Sequence, residues 1–174
     1  MSAPAPLQGP EPLNSTHDLS AFDCGKAPLN TFLLRSALVN QLNATARTYV
    51  VHRENRVVGY YSLSAAAVEP TSAPSRVGKG LPRLPIPLTL LARLAVDRAE
   101  QGKGLGPALL KDACKKFLAA QEIVASRALL VHAKDEEAAK FYTHYGFEPS
   151  HIDKHHLYLL TKDIKKTLGL GPAQ

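Results

Sequence analysis

Residues 88–120, LTLLARLAVDRAEQGKGLGPALLKDACKKFLAA, decide the fold of this protein. The nearly continuous apolar run Leu88–Asp97 predicts a strand that is buried on both faces. A glycine-rich turn, Gln101–Gly106, follows it, and Pro107–Ala120 has the apolar periodicity of an amphipathic helix. Pro107 suits the first helical turn, where its missing N–H would have no partner. The stretch therefore predicts a strand, a tight turn and a helix in direct succession.

The turn between this strand and helix has the composition of an anion-binding loop. Glycines at positions 102, 104 and 106 allow backbone N–H groups to point inward, and the helix N-terminus adds a partial positive charge. A phosphate or pyrophosphate suits such a loop. The turn is not a Walker loop, because no Gly-Lys-Ser/Thr follows, and Pro107 breaks the dinucleotide-binding pattern. A turn selected only for chain reversal would look similar, so the loop alone leaves its role open.

Upstream of this unit, the sequence predicts one helix and one hairpin. The helix is expected after the turn Phe22–Gly25, with Asp23 as its N-cap. The segments Thr45–Arg53 and Arg56–Val68 are rich in β-branched and aromatic residues, which is typical of two antiparallel strands. Pro70–Pro87 contains too many prolines and glycines for a regular element, so we expect a long loop there.

Downstream, the pattern alternates between strand and helix. Ala128–Ala133 predicts a short buried strand, Asp135 caps a helix that runs to Tyr145 and ends at Gly146, and Leu157–Leu160 predicts another strand. The fold class is therefore α/β (α+β), a single domain whose central mixed, mostly antiparallel sheet is flanked by helices. We expect this domain to span residues 13–167, between a flexible leader at 1–12 and a flexible tail at 168–174.

Length and composition exclude several classes of protein. The 174 residues, 45% of them hydrophobic, suit one domain and leave too little chain for a two-domain dehydrogenase. Cys24 and Cys114 are the only cysteines, which excludes a disulfide scaffold and favours free thiols in the cytoplasm. The N-terminus lacks the pattern of a signal peptide, and no apolar run has the length of a membrane helix. The net charge of +6 favours a polyanionic partner.

A second motif lies 35 residues beyond the glycine loop, at Phe141–Phe147 (FYTHYGF). Together, Gln101-x-x-Gly-x-Gly106 and this aromatic motif resemble the GCN5-related N-acetyltransferase (GNAT) family. In that family, a Gln/Arg-x-x-Gly-x-Gly/Ala loop precedes a helix that ends in an aromatic Gly-Phe motif. The resemblance extends over about Thr45–Leu160. It implies the fold of that family and acetyl-CoA as cosubstrate, whose pyrophosphate the glycine loop would hold.

Five further segments are similar to the acetyltransferase toxins of bacterial toxin–antitoxin pairs. This resemblance implies acetylation of the free α-amino group of aminoacyl-tRNA, a block of translation, a ribbon-helix-helix antitoxin and a homodimer. The proline-rich extension before Leu13 is longer than this resemblance leads us to expect, and it puts nothing catalytic in doubt. The segments are 22–25 (FDCG), 46–50 (ARTYV), 59–63 (GYYSL), 91–97 (LARLAVD) and 131–134 (VHAK).

The family resemblance also implies roles for individual residues. Tyr142 corresponds to the general acid that protonates the departing CoA sulfur, and it shares a helix face with Ala138, Phe141 and Tyr145. An N–H of Leu94 or Val96 would polarise the thioester carbonyl. No metal is implied. The cofactor-binding positions are Leu94, Ala95 and Val96 beside the thioester, and Gln101, Gly102, Lys103, Gly104, Leu105 and Gly106 around the pyrophosphate.

No residue stands out as the general base. His132 lies at a predicted strand end, where a structural role is the more common one. A lysine amine, with a pKa of about 10.4, is protonated at neutral pH, whereas an α-amine titrates at about 7.7–8.0. Esterification of the carboxylate lowers the pKa of the α-amine further, so water could accept the proton. The absence of an obvious base therefore agrees with an aminoacyl ester as acceptor.

The excess of basic residues favours RNA as the partner. Arg35, Arg47, Arg83 and Arg93 are the candidates for phosphate contacts, and each neutralised phosphate would add a salt-sensitive increment to binding. Two alternatives remain open on the sequence. The protein could acetylate a small amine or a protein N-terminus, or it could bind acetyl-CoA as a regulatory module without catalysis.

Overall fold

A computed structural model describes residues 3–168, which contain seven strands. No helix in this range is long and apolar enough to cross a membrane. The strands are β1 (Gln8–Pro12), β2 (Arg47–Arg53), β3 (Arg56–Val68), β4 (Ile86–Val96), β5 (Ala128–His132), β6 (Glu148–Pro149) and β7 (His156–Leu160).

The helices of the described residues alternate with these strands in the second half of the chain. Short 3₁₀ turns at Pro70–Ser72 and Arg98–Glu100 precede α3 and α4, respectively. The helices are α1 (Ala27–Thr31), a π-helical turn (Phe32–Ser36), α2 (Ala37–Leu42), α3 (Ser75–Gly78), α4 (Leu105–Gln121), α5 (Glu136–His144) and α6 (Thr161–Thr167).

The seven strands form one mixed sheet in the order β1-β2-β3-β4-β5-β7-β6. Strands β4 and β5 pair in parallel, and the pairs β1–β2, β2–β3, β5–β7 and β6–β7 are antiparallel. A parallel pair needs a crossover connection, and α4 supplies it between β4 and β5. The predicted fold class, a mixed and mostly antiparallel sheet flanked by helices, is confirmed.

The hairpin of β2 and β3 forms as the sequence predicts. Its ladder extends from Arg47 opposite Leu63 to Arg53 opposite Arg56. The two turn residues, Glu54 and Asn55, both have positive φ angles, of 49° and 68°. Two consecutive positive φ angles give the turn a twist that matches that of the strands, which is why such turns are favoured in hairpins.

The chain divides into two compact units, each with its own core. The first unit comprises the chain up to Ser64 together with Ala92–Ala113, and the second comprises Ala65–Leu91 and the chain from Cys114 onward. Cys24 and Cys114 are both free, as predicted, and both are buried. The core of the first unit consists of Leu13, Phe22, Cys24, Phe32, Leu33, Ala37, Val50, Val57, Tyr60 and Ala95.

The core of the second unit joins α3 to the strands β4, β5 and β7. Arg127 Nε donates to the carbonyl oxygen of Val77 at 2.9 Å, which ties α3 to the start of β5. Gln121 Nε2 donates both to Ser126 O and to Thr161 Oγ1, at 2.6 Å each. The buried members of this core are Ala73, Val77, Ile86, Leu88, Ala128, Leu130, Tyr158 and Leu160.

The predicted flexible leader, residues 1–12, contains strand β1, so this part of the prediction is wrong for Gln8–Pro12. Strand β1 pairs antiparallel with β2 at the edge of the sheet, where prolines are tolerated because half of the N–H groups face solvent. A Cβ at Gly9 would lie 2.5 Å from the carbonyl oxygen of Val50, so only glycine fits. Side-chain contacts with β2 hold a segment whose own sequence has no strand periodicity.

The first predicted helix differs from expectation at its start and in its middle. Lys26, not Asp23, is the N-cap of α1, and no side chain caps this helix. The helix also widens into a π-helical turn at Phe32–Ser36. Tyr60 Oη donates to the carbonyl oxygen of Leu29 at 2.7 Å, which gives that carbonyl a partner outside the helix. A buried tyrosine on β3 therefore supports an irregularity that the helical periodicity does not reveal.

The predicted long loop, Pro70–Pro87, contains α3 and the first residues of β4. Helix α3 is a single turn whose N-cap is Pro74, and Val77 is buried in the core of the second unit. Burial of Val77 stabilises a turn that the density of prolines argued against. Of the predicted tail at 168–174, all but Leu168 lies outside the described residues.

Candidate active site

Residues 101–104 of the glycine loop are exposed, and the loop leads into the N-terminus of α4. Gly102 and Gly104 have φ angles of +78° and +86°, a region that residues with a side chain rarely adopt. A Cβ at either position would meet nothing within 4 Å, so the space over the loop is open. Gly106 lies in the first turn of α4. Exposed backbone N–H groups at a helix N-terminus, with free space above them, fit a diphosphate.

The turn before the loop is held by its own side chains. Asp97 accepts hydrogen bonds from the backbone N–H groups of Ala99, at 2.9 Å, and of Asp23, at 3.0 Å. Gln101 Nε2 donates to the carbonyl oxygens of Val96, at 2.9 Å, and of Cys24, at 3.0 Å. The side chain of Gln101, which the sequence places in the cofactor-binding set, therefore stabilises the base of the loop.

Strand β4 leads directly into this turn and carries the other predicted cofactor residues. Ala95 is buried in the core of the first unit, whereas Leu94 and Val96 are half-buried. Side chains alternate along a strand, so Leu94 and Val96 face away from the side that Ala95 packs against. The carbonyl oxygen of Val96 is occupied by Gln101, which fixes the peptide plane after Val96.

Helix α4 begins close against β3. A Cβ at Gly59 would lie 3.1 Å from Leu105 Cδ2 and 3.2 Å from Leu109 Cδ1, so glycine at this position lets the helix approach the sheet. Tyr61 Oη donates to the carboxylate of Asp112 one helical turn further on. These contacts determine where the glycine loop lies, because its last two residues, Leu105 and Gly106, belong to α4.

Tyr142 lies on α5 in the second unit. Asp135 caps this helix by accepting a hydrogen bond from the N–H of Ala138 at 2.8 Å, and Gly146, with a φ angle of +95°, follows its end, as predicted. Tyr142 is 6% exposed, and its ring makes edge-to-face contacts with Phe141 and Phe147. Burial raises the pKa of its phenol far above the ordinary value. The hydroxyl therefore keeps its proton at any physiological pH.

His132 has the surroundings of a structural residue. Its ring stacks on that of His156 with centroids 4.1 Å apart, opposite each other in the β5–β7 ladder. Partial desolvation, and then the neighbouring His156, lowers the pKa of His132, which lies at the exposed end of β5. Glu136, in the first turn of α5, places its Oε2 atom 3.3 Å from both Lys154 Nζ and His155 Nε2. This arrangement supports the structural interpretation that the sequence favoured.

One group of possible metal ligands occurs among residues 3–168, namely Glu11, His17 and His52. Both imidazole Nε2 atoms face Glu11 Oε1. However, His17 Nδ1 accepts a hydrogen bond from the N–H of Asn14, and His52 Nδ1 accepts one from the N–H of Asn55. A neutral imidazole that accepts at Nδ1 carries its hydrogen on Nε2 and cannot bind a metal there. The group is therefore a hydrogen-bonded clamp that holds β1 to β2.

Comparisons with known proteins agree with this geometry. The family model described as an acetyltransferase (GNAT) domain matches residues 44–149. The chain belongs to the GNAT acetyltransferase family. It is 42% identical, over 92% of its length and 96% of the relative's, to the tRNA-acetylating toxin of Mycobacterium tuberculosis.

Solved structures similar to this GNAT chain include two of the toxin AtaT. One is AtaT complexed with acetyl-methionyl-tRNAfMet, which has a TM-score of 0.84 and 33% identity and covers 91% of this chain and 97% of that one. The other is a mutant AtaT bound to the C-terminus of the antitoxin AtaR and acetyl-CoA. It has a TM-score of 0.79 and 31% identity, and it covers 91% of this chain and 96% of that one.

The four arginines predicted to contact RNA differ in their surroundings in this acetyltransferase. In the first unit, Arg35 on the π-helical turn and Arg47 at the start of β2 are exposed. Arg93 is half-buried, and its guanidinium lies 3.9 Å from the centroid of the Phe32 ring. Arg83, in the second unit, is exposed in the loop before β4. Three of the four are thus open to solvent.

Sequence reasoning missed the residues that brace the glycine loop of this acetyltransferase. Asp97 and Asn30 hold the segment 23–25 in place, and Arg53 pairs with Glu100 at 3.0 Å just before the loop. The Glu100 carboxyl is largely buried, and the hydrogen bond from Arg53 lowers its pKa. The sequence did offer a signal for Asp97, because an aspartate directly after an apolar strand is a common cap of a following helical turn.

The hydrogen bonds of Glu11 predict that the free energy of unfolding depends on pH. The hydrogen bond from His52 holds the pKa of Glu11 below its ordinary value, so its contribution is present above pH ~4.3 and is lost as the pH falls through the lowered pKa. Glu11→Gln should reduce the free energy of unfolding at pH 7 by about 0.5–1 kcal/mol, a modest amount because the carboxylate is partly exposed. Urea titrations at pH 7 and pH 3 measure this. A difference between the two proteins that persists undiminished at pH 3 would contradict the prediction.

Proposed function

We propose that this acetyltransferase is a toxin that transfers the acetyl group of acetyl-CoA to the free α-amino group of aminoacyl-tRNA and thereby blocks translation. The observation that carries the proposal is the 42% identity to a tRNA-acetylating toxin over nearly the whole of both chains. Similarity to AtaT complexed with acetyl-methionyl-tRNAfMet supports the same acceptor class.

The glycine loop and Tyr142 have separate tasks in this reaction. Acetyl-CoA supplies an activated acetyl thioester, which a neutral amine can attack. The backbone N–H groups of 102–106 hold the diphosphate, and an N–H of Leu94 or Val96 donates to the oxygen on which negative charge develops. Tyr142 Oη carries a proton that it can give to the departing sulfur. Burial keeps this phenol protonated, as a general acid must be before it acts.

The acceptor amine needs little help to lose its proton. An α-amine titrates at about 7.7–8.0, so part of it is neutral at physiological pH, and an ester on the adjacent carbon increases that part. The stacked pair of His132 and His156 is better explained by packing at the strand ends than by base catalysis. Water therefore accepts the proton of the aminoacyl ester.

The charge of the protein supports a nucleic-acid substrate. The chain carries 21 Lys and Arg against 15 Asp and Glu. Arg35, Arg47 and Arg83 expose their side chains, and Arg93 uses one face of its guanidinium to cover Phe32. Phosphate contacts from such side chains bring RNA into register without reading its sequence.

The proposal includes protein partners. A cognate antitoxin of the ribbon-helix-helix class neutralises the enzyme, and the enzyme is a homodimer. Similarity to AtaT bound to the C-terminus of the antitoxin AtaR supports a partner of this kind. The basic surface of this chain would attract an acidic antitoxin segment as well as RNA.

One experiment tests the acceptor directly. Purified protein is mixed with labelled acetyl-CoA and bulk aminoacylated tRNA, the RNA is digested, and N-acetylated aminoacyl-adenosine is identified by mass spectrometry. Deacylated tRNA and free amino acids serve as controls. Label that appears on free amino acids or a peptide N-terminus, and none on aminoacyl-adenosine, would contradict the proposal.

The RNA contacts predict a dependence on salt. Acetylation of tRNA should weaken steeply between about 50 and 200 mM salt. Arg35→Glu and Arg47→Glu should each make the fall of log affinity with log salt less steep, by about 1 unit of slope. Lys115→Glu, the same charge change on an exposed position of α4, is the matched control and should leave the slope unchanged. Filter binding at several salt concentrations measures the slope. Equal slopes in all variants would exclude these arginines as phosphate contacts.

A further inference from the structure

A continuous set of hydrogen bonds connects the base of the glycine loop to the start of helix α1. The contacts begin at the turn before the loop, where Asp97 Oδ2 accepts the N–H of Asp23 at 3.0 Å and the N–H of Arg98 donates to Asp23 O at 2.9 Å. The guanidinium of Arg98 also lies 3.8 Å from the carboxylate of Asp23. These contacts fix Asp23 against Asp97 and Arg98, although Asp23 and Asp97 are 74 positions apart in the chain.

Gln101 completes this connection, because both N–H groups of its carboxamide are hydrogen-bonded. Its Nε2 carries two hydrogens, and the two acceptors, Val96 O and Cys24 O, use both. One acceptor belongs to the strand that enters the turn, and the other belongs to the segment that precedes α1. The side chain therefore joins the first residue of the glycine loop to two separate parts of the first unit.

The segment 23–25 passes the connection on to the helix through Asn30. Cys24 N donates to Asn30 Oδ1 at 2.9 Å, and Asn30 Nδ2 donates to Asp23 Oδ1 at 3.0 Å. The same carboxylate oxygen accepts the N–H of Gly25 at 2.8 Å. Asn30 lies within α1, so these hydrogen bonds join the 23–25 segment to that helix.

We propose that Gln101 is a positioning residue that transmits occupation of the glycine loop to helix α1. A diphosphate that orders the loop also holds the Gln101 side chain in its two hydrogen bonds. The bond from Gln101 to Cys24 and the bond from Cys24 to Asn30 then restrict the motion of helix α1. Helix α1 continues into the π-helical turn that bears Arg35. The inference rests on the proposed function, because it means that acetyl-CoA organises one of the RNA-contacting elements before tRNA binds.

Hydrogen–deuterium exchange with coenzyme A as the probe tests this coupling. In the unmodified protein, saturating coenzyme A should slow exchange by about fivefold or more both at the loop, 101–106, and at 27–36. Gln101→Glu removes both N–H groups and places a carboxylate beside two carbonyl oxygens. It should lose the protection of 27–36 even at coenzyme A concentrations high enough to protect the loop.

Gln121→Glu is the matched control, because Gln121 Nε2 also donates to two oxygen atoms but lies in the second unit. It should behave like the unmodified protein. Asn30→Ala removes both the acceptor of the Cys24 N–H and the donor to Asp23, so it breaks the connection at its other end. It should uncouple 27–36 in the same way, even if Gln101→Glu fails to fold. Protection of 27–36 that survives in Asn30→Ala, or that never occurs in the unmodified protein, would overturn the inference. A loop that coenzyme A leaves unprotected would instead contradict the proposed function.

Discussion

Tyr142→Phe should lower the rate constant of acetyl transfer by about 10²–10⁴-fold while the affinity for acetyl-CoA stays the same. The substitution removes only the hydroxyl, which is the source of the proton for the departing sulfur. The ring keeps its contacts with Phe141 and Phe147, so α5 should fold unchanged. Single-turnover kinetics with aminoacyl-tRNA measure the rate constant, and calorimetry with coenzyme A measures the affinity.

Tyr158→Phe is the control for this substitution. Tyr158 is another buried tyrosine of the second unit, and burial likewise raises the pKa of its phenol. Its variant should keep the full rate, since Tyr158 belongs to the core. A loss of less than tenfold in Tyr142→Phe would remove Tyr142 from the role of general acid, as would an equal loss in both variants.

The pH profile gives an independent test of the same phenol. Because burial raises the pKa of Tyr142 above its ordinary value of about 10, the acid form persists throughout the range in which the acceptor amine titrates. The rate should therefore rise with pH as the amine becomes neutral and should then reach a plateau. A decline between pH 8 and 10, without loss of folding, would contradict this assignment.

Gly102→Val should weaken the binding of coenzyme A by roughly 100-fold, which corresponds to about 2.8 kcal/mol. Valine at a φ angle of +78° is strained, and the loop must change its backbone to relieve that strain. The change turns the N–H groups away from the diphosphate. A Cβ at Gly102 also enters the open space above the loop, where we expect the diphosphate to lie. Calorimetry measures the affinity.

Gly80 provides a matched control for the strain. Its φ angle is also +78°, and a Cβ there would likewise meet nothing within 4 Å. Gly80→Val should therefore lower the melting temperature to a similar degree and leave the affinity for coenzyme A unchanged. If both variants lose affinity equally, or if neither does, the glycine loop is not the diphosphate site.

The parts of the fold that could be predicted have local causes. The hairpin of β2 and β3, the cap at Asp135 and the end of α5 at Gly146 were all predictable because each depends on residues within a few positions. The glycine loop belongs with them, since glycine readily adopts the positive φ angles of Gly102 and Gly104, which residues with a side chain rarely adopt. Residues with local roles carry their signal in the sequence.

The parts that could not be predicted depend on distant partners. Strand β1 has the composition of a loose leader, and it becomes a strand because Glu11 meets His17 and His52 across the edge of the sheet. Asp23 is a residue type that often caps helices, yet its carboxylate accepts hydrogen bonds from Gly25 N and Asn30 Nδ2 instead. No periodicity or motif records such contacts, because the partners meet only after the chain has folded.

The amino-acid sequence by itself determined the strand–loop–helix unit, the helix that carries Tyr142 and the excess of positive charge, because backbone preference, hydrophobic periodicity and net charge are properties of neighbouring residues or of composition. Only the tertiary structure decided that the carboxamide of Gln101 joins Val96 to Cys24, a residue 77 positions away. A hydrogen bond over such a separation forms only once the packing of the core has brought its two ends together.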